Sequence, residues 1–177
     1  DIDTTPYTVC PARHRIVVHL EYRPMGGTPG YSQTLPCHDP IDGSATGGHV
    51  RMDSEYWTTT SALSSDPTTN SAMIANAVTH ELGHAIGLDH PNSDLDKDGT
   101  VEAYECPVND ANRRPVMCAP SGGNFGATTG GNFLTAFDQP GLAQLAANWY
   151  ARQGLTATTK PLAPNTADRP AMGRAVR

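Results

Sequence analysis

Eleven consecutive residues, His80-Glu81-Leu82-Gly83-His84-Ala85-Ile86-Gly87-Leu88-Asp89-His90, leave this chain fewer choices than anything else in it. Met73, Ile74, Ala77, Val78, Leu82, Ala85 and Ile86 recur at helical spacing up to and through them, and Thr69, Asn70 and Ser71 offer capping oxygens. The spacing therefore predicts a helix that carries His80 and His84 on one face, where both imidazoles reach a single ion. A third donor requires the chain to turn back. Gly87 tolerates the positive φ of such a turn and returns His90 to the same point. Three neutral imidazoles suit tetrahedral zinc with its fourth position open, which is the catalytic rather than the structural arrangement. Glu81 stands beside the first ligand, placed as general base for a water whose pKa the ion lowers toward ~7. The alternative is an amphipathic helix with incidental surface histidines. It leaves five fixed positions, one of them the glycine that the geometry requires, without a reason.

A second device follows at once. Asp94-Leu95-Asp96-Lys97-Asp98-Gly99-Thr100-Val101-Glu102-Ala103-Tyr104-Glu105 matches an EF-hand loop position by position. Asp94, Asp96 and Asp98 would give side-chain oxygens to calcium, Thr100 its carbonyl, Glu102 a water-mediated contact and Glu105 both carboxylate oxygens. Pro91 before it and Cys106-Pro107 after it exclude two flanking amphipathic helices, so this reads as a lone calcium staple. The bland alternative is a solvated acidic loop. His14, His19, His38 and His49 lack ligand-like spacing and are expected to be structural.

Around these motifs, residues 15–22 form a β-branched run between Pro11 and Pro24 and read as a strand. An edge strand is expected near 31–35, and another strand over 48–53 that ends near Tyr56-Trp57. Residues 58–70 read as polar turn, and 91–134 as irregular. Thr135 would cap a last helix through Leu142, Leu145, Ala146 and Trp149, with Pro140 in its first turn. Residues 155–177, rich in Pro, Thr and Ala, read as a flexible tail beyond a domain spanning 1–154.

With 177 residues, 37% of them hydrophobic, the chain can bury one core, and 17 Gly with 15 Pro make it rich in loops. The net charge of −6 argues against a nucleic-acid surface, and no apolar stretch approaches the ~20 residues of a membrane span. Residues 1–9 have neither the basic start nor the apolar run of a signal peptide, so any such leader is expected to have been removed. Cys10, Cys37, Cys106 and Cys118 form no C-x-x-C pair. Their even number suggests two disulfides and an oxidising, extracellular compartment; four free thiols is the alternative. Of three pairings, Cys10–Cys37 and Cys106–Cys118 are favoured because each lies within its own segment.

The stretch from His80 to His90 resembles the zinc signature of the metzincins, and Gly83 with Gly87-Leu88 looks most like their matrixin branch, the matrix metalloproteinases. The resemblance implies that Val116-Met117-Cys118-Ala119-Pro120 holds the methionine turn, with Met117 beneath the zinc. Ala119 replaces the tyrosine ligand of astacins and serralysins, which also favours matrixins. The implied fold is α+β (mixed α/β): a twisted, mostly parallel five-stranded sheet, the active-site helix behind it, and an irregular lower subdomain ending in a helix. It covers roughly residues 15–150. Residues 1–14 cannot hold the strand and long helix that open the matrixin fold. Pro91 stands where matrixins have a small hydroxyl residue, and no Pro-x-Tyr wall follows Met117. Matrixins also carry a second, structural zinc, but its strand histidine would fall at 50 or 51 rather than at His49.

These readings converge on a secreted, monomeric, calcium-stabilised zinc endopeptidase acting on protein or peptide substrates, with a proteinaceous inhibitor as a further candidate partner. Two alternatives remain: a calcium-dependent adhesion module on a dead zincin fold, and a zinc hydrolase of non-peptide amides.

Overall fold

The computed structural model describes residues 6–12, 14–101, 105–106, 115–118, 138–152 and 154. Among them the element order is β1 (Arg15–Glu21), β2 (Gln33–His38), β3 (Ala45–Asp53), α1 (Glu55–Thr58), α2 (Pro67–Ala85) and α3 (Asp138–Arg152). No helix among the described residues is long and apolar enough to cross a membrane.

The three strands form one sheet in the order β1-β3-β2. β1 runs parallel to β3, with Val18 beside Val50 and Leu20 beside Met52. β2 runs antiparallel to it, with Thr34 beside Val50. Of the five-stranded, mostly parallel sheet expected above, three strands are described, with β1–β3 parallel and the edge pairing β2–β3 antiparallel. Gly47 explains how closely β1 and β3 meet. Its φ is +115°, and a Cβ there would lie against the Arg15 carbonyl oxygen.

Strand alternation sends Val50 and Met52 to one face, where they join Tyr56, Ala77 and Ala85 in the core, with Ile74, Val78 and Leu82 packed against it. Helix α2 thus lies across β2 and β3. The opposite face carries polar pairing beside the buried Val17 and Cys37: Arg51 pairs with Glu21 at 2.8 Å and stacks 4.6 Å from the centroid of the Tyr7 ring. β3 begins at Ala45, earlier than its sequence pattern indicated, and stops at Asp53 rather than near Tyr56-Trp57. The stop is chemical. The buried Asp53 carboxylate accepts bonds from the amides of Arg23, Gly30 and Glu55, which turns the chain into α1.

Helix α2 starts earlier than expected. Asp66 is the N-cap, its carboxylate accepting from Thr69 N at 2.7 Å, and Pro67 follows inside the first turn. Thr69, Asn70 and Ser71 therefore lie within the helix. At the other end Gly87 N–H bonds to His84 O and Leu88 N–H to Gly83 O, the paired bonds of a Schellman turn. Gly87 takes φ +106°, as the sequence required.

Helix α3 contains Pro140 in its first turn; Thr135 and the tail 155–177 lie outside the described residues. It packs against the turn at the end of α2, where a Cβ on Gly141 would meet Leu88 and one on Gly87 would meet Leu145. Its last turn is tied down by Arg152, which pairs with Asp42 at 2.9 Å and donates to the Ser44 hydroxyl.

Both favoured disulfides are formed, Cys10–Cys37 and Cys106–Cys118. The first fastens the segment before β1 to edge strand β2. The second joins the end of the acidic loop to the turn at 115–118.

Candidate metal centre

His80 and His84 project from the last turns of α2 and His90 follows the Schellman turn. Their Nε2 atoms stand 3.1 Å (His80–His84), 2.9 Å (His84–His90) and 3.2 Å (His80–His90) apart. Four tetrahedral ligands at 2.0–2.1 Å would be separated by roughly 3.3 Å, so the triangle has the size of one face around zinc.

The second nitrogens explain the aim of the first. His80 Nδ1 lies 2.8 Å from Val116 O, and His84 Nδ1 lies 2.8 Å from Leu88 O. A carbonyl can only accept, so each Nδ1 carries the proton and each Nε2 presents a lone pair. Converging lone pairs without a cation between them would repel, so the donor set suits a metal ion. The Schellman turn therefore acts twice: it redirects the chain toward His90, and its Leu88 carbonyl orients His84.

Burial holds the His80 imidazole down to about 4, and the nearby His84 and His90 add to that effect. His90 is lowered for the same first reason, desolvation. Both are thereby kept in the neutral form that metal binding requires. Glu81, 8% exposed, is pushed above the ordinary carboxylate range by burial, partly offset by the Thr34 hydroxyl and by His84. Thr34 Oγ1 is 2.7 Å from Glu81 Oε2 and 2.8 Å from Glu81 O.

Met117 is buried in the turn at 115–118, closed by Cys118 N–H to Pro115 O at 3.3 Å. Val116 connects this turn to two elements. Its carbonyl receives His80, and its amide donates to the buried Asp138 carboxylate at the start of α3 at 3.1 Å. Neither Asp138 nor Thr34 was singled out from the sequence. A Thr in a strand and an Asp opening a helix are both commonplace, and their partners lie 47 and 22 positions away.

In the acidic loop, Asp94, Asp96 and Asp98 each offer an oxygen within 4.8 Å of the others. Asp94 accepts from the amides of Asp98 and Gly99, and Asp98 from that of Thr100. Lys97 and Gly99 take positive φ, which curls the loop tightly. Glu105 is buried, with Oε1 accepting from Leu95 N and Asp96 N, and it is not grouped with the three aspartates as a ligand. Glu102 lies outside the described residues.

The remaining histidines divide. His19 Nε2 is 2.8 Å from His49 Nδ1, and His49 Nε2 is 2.8 Å from Val9 O, so this pair ties the segment before β1 to the sheet. No third metal ligand joins them among the described residues. His14 holds a left-handed turn at φ +64°, and His38 ends β2.

Residues 21–98 match the family model Matrixin, from the last residue of β1 through α2 to the third aspartate of the loop. Over that stretch the chain is similar to the matrixins, which supports a matrixin-like metzincin and, in general terms, a metallopeptidase. No curated protein and no solved structure matches the chain.

Proposed function

We propose that this matrixin-like chain is a secreted, calcium-stabilised zinc endopeptidase in which His80, His84 and His90 hold the metal and Glu81 is the general base. The observation that carries the reading is the convergence of three Nε2 atoms within 3.2 Å, two of them aimed by carbonyls behind their rings. When bound, zinc supplies Lewis acidity, which lowers the pKa of water and polarises a peptide carbonyl. Glu81 takes the proton of the attacking water and delivers it to the departing nitrogen. Its burial favours that cycle, because a carboxylate poised above its ordinary range both accepts and returns a proton readily. A retained, hydrogen-bonded Glu81 also argues against a fold kept only for adhesion. The two disulfides support an oxidising, extracellular setting.

The test is cleavage of denatured casein. The zinc-loaded protein should cut it, chelation should stop the cutting, and added zinc should restore it. Activity that persists with all metal removed would eliminate the reading.

Calcium is part of the same proposal, supported by the three clustered aspartates and their EF-hand order. With extracellular-type affinity of ~0.1–1 mM, 10 mM calcium adds roughly 1.4–2.7 kcal/mol by mass action, or roughly 3–10 °C in Tm. The expected result is that Tm rise in zinc-loaded wild type and its loss in Asp96→Ala. Asp96 is exposed, so loss of the response would report the ion rather than a damaged core. Identical melting with and without calcium in wild type would reduce the segment to an acidic loop.

A further inference from the structure

Edge strand β2 places one side chain directly on Glu81. Thr34 pairs with Val50, whose side chain is in the core against α2, so strand alternation turns Thr34 toward the same helix. Its Oγ1 lies 2.7 Å from Glu81 Oε2 and 2.8 Å from the Glu81 backbone oxygen. A threonine hydroxyl has one proton to give. An ionised carboxylate oxygen is the stronger acceptor of the two, so the proton goes to Oε2.

We propose that Thr34 is a positioning residue for Glu81: its hydroxyl fixes Oε2, so that Oε1 is the oxygen left to take the proton from the attacking water. This rests on the reading of Glu81 as general base. A neutral hydroxyl suits the task better than a cation in its place. An arginine or lysine would neutralise the carboxylate and weaken it as a base, whereas a hydroxyl orients it and leaves its charge available. The bond also crosses between two elements, from strand to helix. The aim of the base is thus set by the sheet as well as by its own helical rotamer.

Thr34→Val keeps the β-branched shape and removes the hydroxyl. In the zinc-loaded protein it should lower kcat roughly 10- to 100-fold, the range for losing a hydrogen bond to a charged group. KM and zinc content should stay close to wild type, Tm should fall modestly because a buried carboxylate oxygen loses its partner, and Thr34→Ser should recover turnover to within several-fold. A crystal structure of zinc-loaded Thr34→Val should show the Glu81 carboxylate rotated from its present position. Glu81→Gln, measured alongside, separates the two ideas. If Glu81→Gln remains active, the base reading itself falls. If Glu81→Gln is inactive while Thr34→Val turns over at the wild-type rate, only the role of Thr34 falls. Should Thr34→Val fail to fold, Thr34→Ser and Thr34→Ala replace it: a Ser variant near wild type with a slow Ala variant supports the proposal, and equal rates overturn it.

Discussion

Glu81→Gln should bind zinc as the wild type does and lose roughly 10²- to 10⁴-fold in kcat, the contribution typical of a positioned acid–base group. The substitution leaves His80, His84 and His90 untouched, together with the Val116 and Leu88 carbonyls behind two of them. An amide has nearly the same shape as the carboxylate and can still accept from Thr34, but it cannot take the proton of water. Zinc content by atomic absorption and casein cleavage on the same preparation decide the matter. Full zinc with near-normal turnover would remove Glu81 from the chemistry.

Acid should weaken the zinc-stripped protein by a large fraction of its stability. His80 in the folded chain is held at about 4, below the ordinary 6.5 that it regains on unfolding. Above pH 6.5 both states carry a neutral ring and nothing changes. Between 6.5 and about 4 the unfolded chain binds a proton that the folded chain resists, so stability falls with pH by on the order of 3 kcal/mol. His90 acts in the same direction. Glu81 acts in the opposite one, because its raised pKa makes the folded chain take up a proton before the unfolded chain does. Urea unfolding of the zinc-free protein at pH 7.5 and pH 4.5 should therefore show the loss, and Glu81→Gln should show a larger one. Equal stabilities at the two pH values in both proteins would contradict this account. With zinc present the ion competes with the same protons, and activity should disappear over the acid range as the metal leaves.

What could be read in advance was local. The turn of α2 that bears His80 and His84, the break at Gly87 and the return of His90 all depend on neighbours within a few positions. Each took the predicted form. The disulfide pairing followed the same logic of short segments. Asp66-Pro67 was equally local, an N-cap with proline behind it, but it sat inside a polar stretch that looked like turn throughout. Other features were legible only in three dimensions. The periodicity of residues 33–38 announces a strand and is silent on its direction, so the antiparallel pairing of β2 could not be anticipated. Helix α1 exists because the Asp53 carboxylate collects three amides, two of them from the distant loop at 23–30. The diagonal contact of His19 with His49 needs the β1–β3 register, which places Val17 beside His49. Thr34 became visible only once β2 was laid against α2.

Gly87 carries a consequence for genetics. Two independent constraints meet at this residue: a backbone at φ +106°, and a Cβ position 2.9 Å from the Ala45 side chain and 3.3 Å from that of Leu145. Trimming Ala45 or Leu145 would make room for a methyl group yet leave the backbone in a region that an L-residue adopts at a cost of about 1 kcal/mol or more. Relaxing the backbone instead would carry His90 away from His80 and His84. A suppressor that answers one constraint therefore leaves the other in force, and a change at codon 87 is repaired by restoring glycine rather than by a single substitution elsewhere.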